Sequence, residues 1–433
     1  MNKKNILKTI SAASALLLAS LLATSCNSSS KNATDTSSVQ EQPEVTEETL
    51  KALAAVLPQY SGVSSFHEGL AIVCDKETDL YGCIDQTGTL VIPCQYQYIH
   101  YDFHDGVTVA TTTDDENIII DREGNTIAPY PYGNEGFCGF EEGLIPFVQF
   151  EQTSDGETDW EQPAKVGYLD TKGQVVIPAT YEYILTESSV ASHFSEGLCP
   201  QHKYGDESFH TTFIDKTGRG VFTCEGYADD FHEGLTLLGK DISTNEDDFL
   251  WRYGFLDKKG KEAIPFRFER AGHFSEGLCW AEEGDKKGFI DKDGKFVLTG
   301  SWHIFTLDEE GAEEEDLIPT FSEGLAWVCN SENKFGYIDQ TGTLVIPYRY
   351  EVGYNDIDER YDQQPCFDFH QGIARVWDKS TGKYGYIDKE GNEVQSCQFD
   401  DAYDMSEGLA LVRRGDDWGY INARGICTLD LKK

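Results

Sequence analysis

The sequence predicts an all-β fold made of nine tandem repeats that follow one short helix. A Phe-x-Glu-Gly-Leu box recurs along the chain, and an Asp-x-x-Gly element follows each box at a similar distance. Valine, isoleucine, tyrosine and phenylalanine dominate the segments around these elements, which is typical of strands. Self-similarity of this kind indicates a repeat architecture in which each copy packs on its neighbours.

The box fixes the boundaries of the copies. Its glycine is Gly69, Gly106, Gly143, Gly197, Gly234, Gly277, Gly324, Gly372 and Gly408. Four of the eight steps between these glycines are 36 or 37 residues, and the longest is 54. A basic unit of about 37 residues with loop insertions therefore accounts for the whole series.

Each copy is predicted to contain three clear strands. The copy at residues 321–347 shows them best: Gly-Leu-Ala-x-Val begins the first, Gly-Tyr-Ile-Asp forms the second and Leu-Val-Ile-Pro forms the third. Asp339 and Gly342 mark the turn between the last two strands. An aspartate there bonds its own backbone, and glycine accepts a positive φ. The same turn is predicted in every copy, with Asn422 replacing the aspartate in the ninth.

The first strand is apolar on both faces. Leu70 and Ile72 point to one side, and Ala71 and Val73 to the other. Both faces must therefore be covered, as they are when sheets stack on their neighbours. An open, solenoid-like array of hairpins and a closed β-propeller both meet this requirement. Propellers usually have about 4–8 blades of four strands, so nine three-stranded copies favour the open array, with the propeller as the alternative.

The repeat resembles the bacterial WG-containing repeat over residues 66–427. Trp418-Gly419 is the literal Trp-Gly pair. Aromatic variants of the pair occur at Tyr81-Gly82, Tyr253-Gly254, Phe335-Gly336 and Tyr384-Gly385. The resemblance implies an all-β repeat array and carries no established common activity.

The first 25 residues are predicted to be a signal peptide. Lys3, Lys4 and Lys8 precede an apolar run at residues 10–23, which is short for a membrane span. The run ends at Cys26 in a segment that resembles the bacterial lipobox. That resemblance implies lipidation of the Cys26 sulfur and an exported protein, lipid-anchored to the bacterial cell envelope. The alternative is an ordinary cleavable signal followed by a chance cysteine.

Three further segments complete the predicted organisation. Residues 26–45 are rich in serine, threonine and asparagine and poor in apolar side chains, which predicts a disordered tether after the lipidated cysteine. Residues 46–58 are predicted to be a short helix that Thr46 caps and Pro58 ends. Residues 59–433 then hold the nine repeats.

The net charge of −41 restricts the partners. A strongly acidic surface repels nucleic acid and anionic lipid headgroups. We therefore expect no nucleic-acid partner, and membrane contact only through the Cys26 lipid.

The cysteines follow the phase of the repeat. Cys199 and Cys279 replace the alanine that other copies carry after Gly-Leu. Buried free thiols are therefore favoured over a disulfide framework among the eleven cysteines after Cys26. No Cys-x-x-Cys pair is present, which argues against a zinc site.

Histidines, one acidic turn and two tryptophans were considered as sites. His67, His104, His232 and His370 share one box position, where other copies have serine, so a backbone-bonding role is favoured over metal binding. Residues 291–294 resemble the start of a calcium loop, but Lys295 and Trp302 occupy later ligand positions, which excludes an EF-hand. Trp280 and Trp327 are predicted to be core rather than a sugar-stacking stripe.

The sequence contains no recognisable catalytic motif. We assign no catalytic residue, no metal ligand and no cofactor, and an enzymatic role is not favoured. The leading hypothesis is a non-catalytic lipoprotein that presents a binding surface to a protein or a cell-wall glycan. The alternatives are a structural spacer without a specific ligand and a hydrolase of envelope polymers. The insertions near residues 150–165, 240–250, 305–318 and 352–366 are the first places to look for a site.

Overall fold

A computed structural model describes most of the repeat region and the helix before it. The described residues are 45–132, 139–150, 164–182, 192–204, 209–243, 250–307, 315–351 and 367–431. The predicted signal peptide, Cys26 and nearly all of the tether lie outside them. So do most of the insertions that the sequence singles out.

Helix α1 spans Glu47–Val56, and a 3₁₀ turn at Leu57–Gln59 follows it. The Thr46 hydroxyl accepts a hydrogen bond from Thr49 N at 3.2 Å, which caps the first turn. Leu50, Leu53 and Leu57 are almost completely buried. The helix therefore packs its apolar side on the repeats. No helix among the described residues is long and apolar enough to cross a membrane.

The repeats contain 34 described strands, numbered in chain order. Repeats one to three contain β1 Tyr60–Val63, β2 Leu70–Asp75, β3 Tyr81–Asp85, β4 Leu90–Tyr96, β5 Tyr98–Ile99, β6 Val107–Thr111, β7 Asn117–Asp121, β8 Thr126–Pro129, β9 Leu144–Gln149, β10 Lys165–Asp170 and β11 Val175–Glu182. Repeats four to six contain β12 Leu198–Tyr204, β13 Phe209–Asp215, β14 Gly220–Glu225, β15 Tyr227–His232, β16 Leu235–Asp241, β17 Trp251–Asp257, β18 Glu262–Phe268, β19 Arg270–Ala271, β20 Cys279–Glu283, β21 Lys286–Ile290 and β22 Phe296–Thr299. A hairpin of β23 Phe305–Leu307 and β24 Glu315–Leu317 follows. Repeats seven to nine contain β25 Phe321–Ser322, β26 Leu325–Cys329, β27 Lys334–Asp339, β28 Leu344–Glu351, β29 Ile373–Asp378, β30 Lys383–Asp388, β31 Glu393–Phe399, β32 Asp401–Ser406, β33 Leu409–Arg414 and β34 Asp417–Asn422.

Each repeat forms a small antiparallel sheet whose strand order follows the chain. The predicted turn is present between the last two strands: Asp339 Oδ1 accepts hydrogen bonds from the Thr341 and Thr343 amides, and Gly342 has φ +80°. The final strand lies outermost, so that Leu344 and Val345 of β28 are exposed whereas Ile346 is buried. Repeats seven and eight are also joined by one pairing, Glu351 with Trp377.

A short strand before the box is the element that the sequence analysis missed. In repeats one, two, five, six, seven and nine it pairs with the strand after the box. Several of these strands have only two residues, such as β5 and β19. Two residues cannot show the alternation by which a strand is recognised in sequence.

The preference for an open array is wrong, because repeat nine packs on repeat one. Tyr420 Oη donates to Ser64 O at 2.6 Å, and Trp418 Nε1 donates to Ser61 O at 3.1 Å. The Tyr420 contact repeats one made between consecutive copies, where Tyr337 Oη donates to Phe367 O at 2.7 Å. The seam between the two ends is therefore built like an internal seam, and the nine repeats close into a propeller-like ring.

Helix α1 covers this closing seam. Its buried leucines share one apolar cluster with Val73 of repeat one and with Leu411 and Tyr420 of repeat nine. The sequence analysis argued against closure from the number of copies and from three strands per copy. The short fourth strand, described in six repeats, removes the second objection.

The buried residues confirm the prediction that the strand after the box is covered on both faces. All five residues of β26 are buried, and Trp280 and Trp327 are 0% and 4% exposed, which makes both part of the core as predicted. The nine cysteines among the described residues are free, and six of them are buried. This agrees with the interpretation of the cysteines as small core residues.

Candidate functional site

The recurring box forms a tight turn with an uncommon backbone. Glu68 and Gly69 both have positive φ, +49° and +79°, and His67 and Leu70 on either side exchange backbone hydrogen bonds. Two successive residues with positive φ are typical of a type I′ hairpin turn, where asparagine and glycine are preferred. A glutamate in this conformation is strained, so its side chain needs a compensating role.

That role is the contact between neighbouring repeats. The carboxylate of Glu68 accepts a hydrogen bond from Gly106 N of repeat two at 2.9 Å. The same contact occurs at all nine seams and includes the closing one. The other acceptor and donor pairs are Asp105 with Gly143, Glu142 with Gly197, Glu196 with Gly234, Glu233 with Gly277, Glu276 with Gly324, Glu323 with Gly372, Gln371 with Gly408, and Glu407 with Gly69.

A cation strengthens several of these contacts. Lys258 Nζ lies 3.0 Å from Glu196 Oε2 and donates to the Glu196 carbonyl oxygen at 2.9 Å. Lysines at the same turn position make the pair at three further seams: Lys216 with Glu142, Lys292 with Glu233, and Lys389 with Glu323. The carboxylates of the box therefore hold the ring together and are not arranged as a catalytic acid and base.

The four histidines of the box share one turn position, and two of them contact carboxylates. His67 Nδ1 lies 2.9 Å from Asp102 Oδ2, and His370 Nε2 lies 3.6 Å from Asp404 Oδ2. Burial lowers the pKa of His67, but the hydrogen bond and charge of Asp102 outweigh this and raise it overall. Serine at this position does bond backbone as predicted: Ser406 Oγ donates to Phe66 O at 2.5 Å.

The partners of these histidines lie directly before the box aromatic, a position that sequence reasoning overlooked. Its titratable residues in the nine copies are Asp102, His193, Asp230, His273, Asp368 and Asp404. With the four box histidines, six of the chain's ten histidines flank this aromatic. An alignment of the nine copies with one another would have shown that histidines concentrate on both sides of this aromatic residue.

No metal site is apparent in the part of the chain that the structure describes. It contains no group of three or more histidine, cysteine, aspartate or glutamate side chains that could hold a metal ion. At the turn that resembles a calcium loop, Asp291 Oδ1 accepts hydrogen bonds from the Asp293 and Lys295 amides. This carboxylate is therefore engaged by its own turn, as Asp339 is in repeat seven.

An open cleft of about 820 Å³ lies between repeats seven and eight. Its lining combines both charges with aromatic rings: Lys334, Arg349, Tyr350, Glu351, Val376, Trp377, Asp378, Lys379, Ser380, Ile387, Gly391, Asn392, Glu393, Gln395 and Cys397. We call it the 7/8 cleft. The Asp378 carboxylate accepts hydrogen bonds from the amide and hydroxyl of Ser380, which lowers the pKa of Asp378. Asp378 is therefore ionised and held in its turn.

The comparisons with known proteins agree with the repeat architecture. The family model of the WG containing repeat matches residues 55–77, 81–111, 167–200, 253–286, 335–355 and 384–418. A search of curated proteins found no match.

Solved structures similar to the chain include the computationally designed Ika8 protein, with 10% identity, TM-score 0.37 and coverage of 74% of this chain and 94% of that one. BamB from Moraxella catarrhalis has 11% identity, TM-score 0.32 and coverage of 76% and 82%. The WD40 β-propeller domain of Doa1 has 12% identity, TM-score 0.27 and coverage of 64% and 88%. From the matched repeats, the chain is a WG-containing β-repeat protein.

Proposed function

We propose that this chain is a non-catalytic binding protein, carried on the bacterial envelope by a lipid on Cys26, which holds a segment of a partner protein in the 7/8 cleft. The observation that carries the proposal is the cleft itself. It is a concave surface formed by two repeats and large enough for several side chains of a partner. The WG-repeat fold fits a non-catalytic repeat protein.

The lining of the cleft favours a protein segment over a glycan. Lys334, Arg349 and Lys379 contribute positive charge, and Glu351 and Glu393 contribute negative charge. A lining that carries both positive and negative charges complements a protein segment that also carries both. Glycan binding would favour an exposed aromatic platform, but Trp377 is only 8% exposed.

A hydrolase of envelope polymers is the second candidate, because carboxylates from two repeats line the cleft. A general acid needs a raised pKa so that it holds a proton near neutral pH. Asp378 has the opposite shift for the reason given above. Asp378 therefore holds no proton to donate near neutral pH, which supports binding rather than acid catalysis.

Site-specific cross-linking in intact cells tests the binding proposal. A photoreactive residue at Lys379, whose side chain is 74% exposed, is expected to capture one partner protein that mass spectrometry can identify. The matched control is the same residue at Lys259, which is exposed on repeat five. Capture from both positions alike, or from neither, would contradict the assignment of the cleft.

The lipid anchor is tested separately. Cys26→Ser is expected to leave the protein unprocessed or free in solution, because no sulfur remains to receive the lipid. Wild-type protein should enter the detergent phase of a two-phase partition and incorporate a labelled fatty acid. Recovery of the wild type in the aqueous phase with a free Cys26 thiol would show that the anchor is absent.

A further inference from the structure

Six titratable side chains form an arc along the rim made by the box turns of repeats three to six, and three of them are buried and three half-buried. They are Glu141, His193, Asp229, Asp230, His232 and His273. All of them belong to the box turn or to the two residues directly before its aromatic. We call this set the buried arc.

Two histidine and carboxylate pairs cross the seams of the arc. His193 Nε2 of repeat four lies 3.2 Å from Asp230 Oδ2 of repeat five, and these side chains are 5% and 1% exposed. His273 Nε2 of repeat six lies 3.4 Å from Asp229 Oδ2 of repeat five, with exposures of 13% and 8%. The rings of His232 and His273 lie 4.3 Å apart. Imidazoles and carboxylates thus lie at the core of these seams, beside a neutral contact in which Ser195 Oγ donates to Phe231 O at 2.7 Å.

Titratable pairs at other seams are less buried. The side chains of His370 and Asp404 are 32% and 18% exposed. The pair of His67 and Asp102 is more accessible, with side-chain exposures of 24% and 29%. The arc is therefore distinguished by charged groups that are withdrawn from water.

We propose that the buried arc is a two-sided proton switch, which makes the stability of the ring depend on pH through imidazoles and carboxyl groups that act in opposite directions. A histidine and carboxylate pair that holds one proton has no net charge. A second proton leaves an uncompensated buried cation, and loss of the only proton leaves a buried anion. Both are unfavourable away from water. The imidazoles set an acid limit, below which their own contribution to stability is lost, and the carboxyl groups set an alkaline limit, above which theirs is lost.

The acid limit follows from the two neighbouring imidazoles of His232 and His273. Burial lowers the pKa of His232 to about 3. The charges on His273 and His193 act in the same direction, and those of Asp229 and Glu196 oppose it. Burial also lowers the pKa of His273 to about 4. In the unfolded chain histidine takes up its proton near pH 6.5. Their contribution to stability is therefore complete above about pH 6.5 and is lost as the pH falls towards 4.

The alkaline limit follows from Glu141. Burial raises the pKa of Glu141 to about 7. The charge of His193 opposes this shift, and the charges of Asp105, Glu142 and Asp230 add to it. An unfolded glutamate ionises near pH 4.3. The contribution of Glu141 is therefore complete at low pH and is lost as the pH rises towards 7. Asp229 and Asp230 act in the same direction, because burial raises the pKa of each.

Denaturant unfolding of the full chain between pH 4 and pH 8.5 tests the acid limit. His232→Ser introduces the residue that four other repeats have at this position. Relative to wild type, its folding equilibrium constant should increase by up to about tenfold per pH unit as the pH falls from 6.5 towards 4. The control is His303→Ser, an exposed histidine whose curve should stay parallel to wild type. A merely structural role for His232 shifts the curve equally at every pH and would overturn the proposal.

Glu141→Gln tests the alkaline limit by the same measurement. Its equilibrium constant relative to wild type should increase as the pH rises from about 4.5 to 7 and then level off.

NMR titration of the wild-type histidines gives a readout that does not depend on the folding of any variant. At least two imidazoles should remain neutral at pH 5, and titration of all of them near pH 6.5 would contradict the switch.

Discussion

A chain that ends at Tyr403, and therefore lacks repeat nine, is expected to lose its folded β signal. In the closed ring this truncation removes the surface on which α1 packs and exposes the sheet edges of two repeats. Circular dichroism during denaturant unfolding measures the outcome. A truncated chain that still unfolds cooperatively, with only a modest loss of stability, would support an open array.

Two single substitutions test closure without the large perturbation of a truncation. Tyr420→Phe removes the hydrogen bond to Ser64 at the closing seam, and Tyr337→Phe removes the equivalent bond to Phe367 at an internal seam. Both tyrosines are fully buried. If the ring is closed, both variants should lose about 1 kcal/mol of unfolding free energy. A loss at Tyr337 with none at Tyr420 would mean that the ends do not meet.

Gly336→Ala is expected to destabilise the protein by about 3 kcal/mol, as overpacking does in a close-packed interior. Gly336 is the glycine of the aromatic-Gly pair in repeat seven. A Cβ at this position would lie 2.4 Å from Ile346 O, because an irregularity in the pairing of β27 with β28 brings that backbone close. Chemical denaturation measures the change in unfolding free energy.

The matched control is Gly62→Ala in repeat one. A Cβ there would lie 3.7 Å from Cys74 Cβ, which is an ordinary contact. Alanine at such a position should stabilise by about 0.4–1 kcal/mol, since it restricts the unfolded chain. Equal effects of the two substitutions would contradict the steric explanation of the loss expected at Gly336.

The role of the box glutamate shows where reading one copy at a time fails. The sequence identifies Glu68 as part of a repeated turn, but its φ of +49° and its bond to Gly106 involve a second repeat. A strained residue that recurs in every copy has a compensating contact elsewhere. Only the assembled seam shows that this contact is an amide of the next repeat.

The sequence by itself determined the number of repeats, the three long strands of each copy, the Asp-x-x-Gly turn and the apolar character of both sheet faces. These features depend on residues close together in the chain, such as Asp339, which accepts a hydrogen bond from the Thr343 amide. Local hydrogen bonding and side-chain alternation specify them without reference to the rest of the fold.

Only the tertiary structure decided whether the array closes and which side chains become buried together. Closure depends on the small rotation between neighbouring repeats summed over nine seams, and no single copy records that sum. It brings Glu407 to Gly69 across almost the whole chain. The same packing withdraws Asp230 and His193 from water, and this burial gives ordinary acidic and basic side chains their altered affinity for protons.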